Sequence, residues 1–141
     1  MFIDASAIVA ILNKEPGWEE LAKRLDASRK PVYFSAVARY EAVLGLARAT
    51  SRTDRKPSAE MVKSAQALVD ELLDEIEARN IAISAEIGEH AITAAAAFGK
   101  AVGHKADVNM GDCFAYACAK SHRLALLYKG NDFGHTDIEA A

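Results

Sequence analysis

Three times in this 141-residue chain a short run of strand-forming residues passes into a helical pattern, and a fourth apolar run follows the last helix. The runs are Phe2-Ile3, Val32 to Phe34, Ile81 to Ile83 and Leu124 to Tyr128, and Ser6, Ser35 and Ser84 stand where helix N-caps belong. Strands that all point the same way cannot be joined by hairpins; they need crossovers, and helices supply them. The alternation therefore restricts the chain to the α/β class, with a central, mainly parallel sheet of four to five strands covered by helices on both faces. Between the strands, periodicity predicts helices over Ala7 to Leu12, Trp18 to Ala27, Ala59 to Arg79, Ser84 to Val102 and Gly111 to His122. A further one opens at Ser35 and carries Val37, Tyr40, Glu41, Leu44 and Ala47 on its inward face. Thr50 to Ser58 and Lys105 to Met110 read as loops.

No internal repeat, low-complexity stretch or linker divides this pattern, so residues 1–141 are expected to form one domain. A chain of this size buries roughly two thirds of its unfolded surface, so its core needs neither disulfides nor a structural metal. Cys113 and Cys118 fall on one expected helix, where their side chains diverge, and are read as reduced thiols. Asp4 stands where a signal peptide would carry basic residues, and no apolar window approaches the roughly 20 residues of a membrane span. The expectation is a cytoplasmic protein with no membrane association. A net charge of −3 excludes the strongly basic balance of indiscriminate nucleic-acid binding, though not nucleic acid as a substrate.

Open parallel sheets take their ligands at the carboxyl ends of the strands. Asp4 ends the first strand, Asp112 opens the helix after Met110-Gly111, and Asp132 follows the last strand through Lys129-Gly130-Asn131. Glu41 lies two turns into the helix after the second strand, on the side of Val37 and Leu44. Carboxylates gathered away from water raise one another's pKa unless a cation or a proton offsets them. Oxygen-only ligation selects Mg²⁺ or Mn²⁺, and no His or Cys spacing points to zinc. Such an ion activates water and stabilises an in-line phosphoryl displacement, which makes phosphodiester hydrolysis the leading chemistry.

The order and setting of these residues resemble the PIN-domain ribonucleases, and most closely the toxins of bacterial VapBC toxin–antitoxin pairs. The resemblance is carried by Phe2-Ile3-Asp4-Ala5-Ser6-Ala7, by Glu41 within Arg39-Tyr40-Glu41-Ala42, by Asn109 to Ala117, and by Leu127 to Phe133 with Thr136-Asp137-Ile138. It implies that Asp4, Glu41, Asp112 and Asp132 form an acidic metal site with Ser6 as a hydroxyl neighbour. It also implies RNA cleavage, inhibition by a small antitoxin, a homodimer and possible higher hetero-oligomers with the antitoxin. Where many relatives carry a second acid, this chain has Asn131. The fourth acid is thus open between Asp132 and Asp137, with Asp132 favoured because it lies nearer the strand end. Asn131 can still hydrogen-bond substrate or a metal-bound water.

Two other readings compete: a receiver-like signalling module, and another two-metal nuclease acting on DNA. Against the receiver, Asp4 has no acidic neighbour before Glu15, and the third strand ends in Ser84 with no Asp. Arg48, Arg52, Arg55 and Lys56 against Asp54 form a basic stretch, read as a solvated loop or as a contact for RNA or antitoxin. The four histidines are scattered without ligand spacing, and Trp18, Phe114 and Tyr116 are read as core or dimer contacts. With the four proposed ligands set aside, 16 acidic residues face 17 basic ones, and the net charge no longer argues against RNA.

Overall fold

β1 (Phe2–Ile3) is two residues long, yet it lies inside the sheet with every side-chain atom buried, because consecutive strand residues point to opposite faces and both faces are covered. The fold is described for residues 1–51 and 55–141 of a computed structural model. Phe2 joins the core under α5 (Ala85–Phe98) and α6 (Met110–Ser121), while Ile3 joins the core under α1 (Ala5–Leu12), α2 (Trp18–Ala27), α3 (Ala36–Thr50) and α4 (Ala59–Glu75). Leu126 and Leu127 of β4 (Leu126–Leu127) divide between the same two cores. β2 (Tyr33–Ser35) and β3 (Arg79–Ile81) complete a four-stranded, all-parallel sheet in the order β3-β2-β1-β4. Past β4, Leu126 N–H donates to the Glu139 carbonyl at 2.8 Å and Ala141 N–H to the Leu126 carbonyl at 3.0 Å. This single parallel bridge stands where a fifth strand would be.

The chain steps outward from β1 to β2 to β3, then crosses back to lay β4 on the other side of β1. The order reverses between β1 and β4, and the crevice beyond their carboxyl ends is where such a sheet takes a ligand.

Several boundaries differ from the expected ones. Asp4, not Ser6, caps α1, which starts at Ala5. α4 ends at Glu75 and not at Arg79, because Glu77 turns left-handed (φ 49°) while Ala78 N–H reaches back to the Leu73 carbonyl at 2.9 Å. The freed residues pair Arg79–Ile81 with Tyr33–Ser35, two positions before the expected strand. α5 ends at Phe98, and Lys100–Val102 forms a separate 3-10 turn closed by the left-handed Gly103. Leu126–Leu127 alone pairs out of the expected Leu124 to Tyr128 run. No helix among the described residues is long and apolar enough to cross a membrane.

Candidate active site

Asp4 leaves β1 directly into the cap of α1. Its Oδ2 accepts the Ser6 backbone N–H at 2.9 Å and the Ser6 hydroxyl at 2.5 Å, and its own N–H donates to the Leu127 carbonyl at 2.9 Å. Ser6 Oγ in turn accepts the Lys129 N–H at 3.0 Å, so the ends of β1 and β4 are laced together through one hydroxyl. Asp112 is set by the start of α6. Asn109 Oδ1 caps Gly111 and Asp112, at 2.8 and 3.2 Å, and Asp112 Oδ2 returns the bond to the Asn109 N–H at 2.7 Å, which completes a capping box. The Glu41 carboxylate lies against Gly111, where any Cβ would overlap it. Asp132 opens a 3-10 turn, Asp132–His135, anchored by the buried Phe133 against the Tyr128 ring. These four acids line a single cleft of about 550 Å³ together with Ser6, Glu15, Tyr40, Arg48, Asn109 and Lys129.

Asp4 is 3% exposed and Asp112 8%, and among the described residues no Lys or Arg forms an ion pair with either. Burial pushes the Asp4 carboxyl above its usual range, against the pull of the Ser6 donors and with a further push from Asp132. Glu41 is pushed up to about 7, first by burial and then by the charges of Asp4 and Asp112, with Arg48 easing it. Asp112 is pushed up to about 6 by burial, opposed by the Asn109 N–H and reinforced by Asp4 and Asp132. Like charges held close without a counter-ion are what a hard divalent cation relieves, and every donor here is an oxygen. The donor set therefore fits Mg²⁺ or Mn²⁺. Among the described residues no three His, Cys, Asp or Glu side chains stand, as they lie, close enough together to hold a metal ion.

Other expected site residues fall differently. Asp137 is away from the cleft, where it accepts the Tyr116 hydroxyl and pairs with Lys120 at 2.8 Å. Asn131 is exposed before Asp132 and off the cleft wall. Arg48 lies on the wall, Arg55 is exposed away from it, and Arg52 lies outside the described residues. The stripe expected to face inward on α3 is mostly not the core stripe. Ala38, Ala42, Val43, Leu46 and Ala47 take the core, while Tyr40, Glu41, Leu44 and Arg48 turn to the cleft. Cys113 and Cys118 are buried free thiols. No histidine is on the cleft wall among the described residues.

Sequence reading missed Asn109, Glu15, Lys129 and the exposed Tyr40. The Asn109-x-x-Asp112 spacing is itself a capping-box signal that would have found the first. Nothing local pairs Glu15 with Lys129, which stand 114 residues apart in sequence.

Residues 1–139 match the family model for the PIN domain. A VapC ribonuclease of Rhizobium meliloti (strain 1021) is 44% identical over 142 residues, covering 97% of this chain and 98% of that one. Ribonuclease VapC42 of Mycobacterium tuberculosis (strain ATCC 25618 / H37Rv) is 35% identical over 141 residues, covering 100% of this chain and 98% of that one. Among solved structures, Mycobacterium tuberculosis VapC20, described as a sarcin-ricin loop cleaving toxin, superposes with a TM-score of 0.70 over 99% of this chain and 97% of that one. At 20% identity that likeness speaks for the fold alone.

Proposed function

The chain belongs to the PIN-domain family and is an endoribonuclease of the VapC toxin type, and on that premise we propose that Asp4, Glu41, Asp112 and Asp132 are the acids of its cleavage centre. One observation carries the assignment: carboxylates from four separate elements share one cleft wall at the switch crevice, without a basic partner, among the described residues, for the two most buried. Asp4, Asp112 and Asp132 would hold Mg²⁺, or Mn²⁺ in its place, beside Glu41. When bound, the cation supplies a more acidic water and neutralises charge on the phosphate.

The chain's own contribution is position and proton handling. Ser6 fixes Asp4 Oδ2, and the Asn109 N–H fixes Asp112 Oδ2, so neither carboxylate has to be ordered when RNA arrives. Glu41, on the cleft wall with Asp4 and Asp112, can take a proton from the attacking water at its carboxylate. Hydrolysis then places hydroxyl on phosphorus and returns a proton to the departing ribose oxygen. Arg48, at the rim, can meet a flanking phosphate.

The wider setting follows the same reading. Residues 1–141 act as one nuclease domain in the cytoplasm, where the two buried thiols stay reduced. The protein pairs with a small antitoxin that covers the acids with a basic side chain. It forms a homodimer, able to build larger assemblies with the antitoxin, and the exposed Ile92 and Met110 beside the groove of α5 and α6 offer apolar surface to cover. Metal-dependent cleavage of a mixed RNA pool, mapped by end sequencing, tests the proposal. Wild-type rates in the Asp4→Asn protein would overturn it.

A further inference from the structure

Two cationic side chains, Arg48 and Lys129, line the acidic cleft among the described residues, and they are held very differently. Arg48 is exposed at the rim on α3. Lys129 follows β4, and its N–H donates to Ser6 Oγ, the hydroxyl that also binds Asp4. Its backbone is therefore locked to the most buried acid of the cleft. Its ammonium meets Glu15 Oε2 at 2.7 Å, with both side chains 31% exposed.

Glu15 is also fixed at its backbone. α1 ends in a left-handed turn at Lys14 (φ 50°), and Glu15 N–H closes that turn on the Ala10 carbonyl at 3.0 Å. Beyond Lys129, among the described residues its carboxylate has only a long contact with Asn13 Nδ2, at 3.4 Å. So an anion already stands beside Lys129 inside the cleft, and it is a single carboxylate on a flexible stem. Arg39 and Asp70, by contrast, are clamped through two parallel bonds.

An RNA strand entering this cleft brings phosphates up to an excess of carboxylate. A divalent cation held by Asp4, Asp112 and Asp132 would answer one of them; the neighbouring phosphate needs a protein cation close to the acids. A compact ammonium on a four-carbon stem exchanges partners more readily than a bidentate guanidinium, and a partly exposed ion pair is weak enough to open.

We propose that Lys129 is a phosphate-binding residue for the RNA substrate, and that Glu15 holds its ammonium inside the cleft until an RNA phosphate takes the place of the Glu15 carboxylate. This rests on the ribonuclease reading above. A pair that merely pinned the α1 turn to the end of β4 would make both partners equivalent. A phosphate site makes them opposite: Lys129 attracts the substrate, and Glu15 competes with it.

The test compares Lys129→Met, Lys129→Arg and Glu15→Gln with wild type, using a fluorescein-labelled mixed-sequence single-stranded RNA. Cleavage with Mg²⁺ yields kcat and KM, and anisotropy between about 50 and 200 mM salt yields the salt dependence of binding. Lys129→Met should raise KM about tenfold with kcat little changed, the loss expected for one charge-assisted bond. Its salt slope should fall by about 0.7, the value for one single-strand phosphate contact. Lys129→Arg should restore most of the slope, and Glu15→Gln should lower KM. Unchanged KM and slope in Lys129→Met, or Glu15→Gln and Lys129→Met moving in the same direction, would overturn the inference while leaving the nuclease intact. A wild-type protein that cleaves no RNA would overturn the ribonuclease reading and this inference with it.

Discussion

Two sets of carboxylates in this molecule meet opposite fates. Asp70 takes two bonds from Arg39 at 2.6 and 2.7 Å, Asp137 pairs with Lys120 at 2.8 Å, and Glu15 with Lys129 at 2.7 Å. Hydrogen bonds from those partners hold all three below the usual carboxylate range. Asp4, Glu41 and Asp112 are all displaced upward, with burial as the largest cause. The chain carries 17 Lys and Arg, so the lack of an ion-pair partner for Asp4 and Asp112 among the described residues is a matter of placement and not of supply. Asp70 and Asp137 are matched at the surface, and Glu15 is matched on the cleft wall. Asp4 and Asp112 are fixed by backbone donors, and they and Glu41 are left electrostatically unsettled.

The strongest way to break that contrast is Asp4→Asn. Asn still caps a helix, so α1 survives, but one charge leaves the cleft. RNA cleavage should fall by more than about 100-fold, the most that loss of an outer partner of a metal ligand usually costs. The melting temperature of the cation-free protein should hold or rise, because a buried acid is removed and with it the repulsion with Asp132. Gly111→Ala comes next. Its Cβ must displace the Glu41 carboxylate, and a misplacement of that size costs up to about 100-fold in rate. Single-turnover cleavage assays measure both.

A pH titration of the cation-free melting temperature sharpens the contrast further. Glu41 at about 7 and Asp112 at about 6 hold their protons more tightly in the folded chain than at the ordinary values of 4.5 and 3.8. Their contribution is most favourable below those ordinary values and is lost as pH rises to the folded ones. The melting temperature should therefore decline from about pH 4 to about pH 7 on their account. Glu41→Gln should flatten the upper part of that decline, and Mg²⁺ should reduce it. Asp137 has the opposite sign, stabilising above its ordinary value and losing that contribution as pH falls through its lowered one. The smallest effect belongs to Asp70→Asn. Its pair is more than one third exposed, so the loss should be about 1 kcal/mol or less in denaturant unfolding, with RNA cleavage unchanged.

Much of the architecture is legible because it depends on local alternation. Ser35 and Ser84 cap the helices that their sequence positions suggest, and the apolar pairs Phe2-Ile3 and Leu126-Leu127 send one side chain to each core. Helix ends are less legible. α1, α4 and α6 each close with a left-handed residue followed by a bond five residues back, but the residues are Lys14, Glu77 and Arg123 and not glycine. With no glycine to mark it, the end of α4 reads four residues too late. The acids stand out at strand ends and helix starts because the reversal of strand order makes that rim the crevice. The seat of Glu41 against Gly111 and the Lys129 to Glu15 pair join distant parts of the chain. Only the assembled fold brings them together.

Asp4 carries a helix and a charge at the same time, which narrows what position 4 tolerates. Ser or Thr would cap α1 without the charge, and Glu would keep the charge on a longer stem that caps poorly. An apolar residue would give up both. Asn likewise keeps the helix while discarding the anion, and it is one nucleotide away from Asp. A lineage under pressure to disarm this protein without unfolding it therefore has a one-step route at position 4, and Asn there is the signature to look for in a silenced copy.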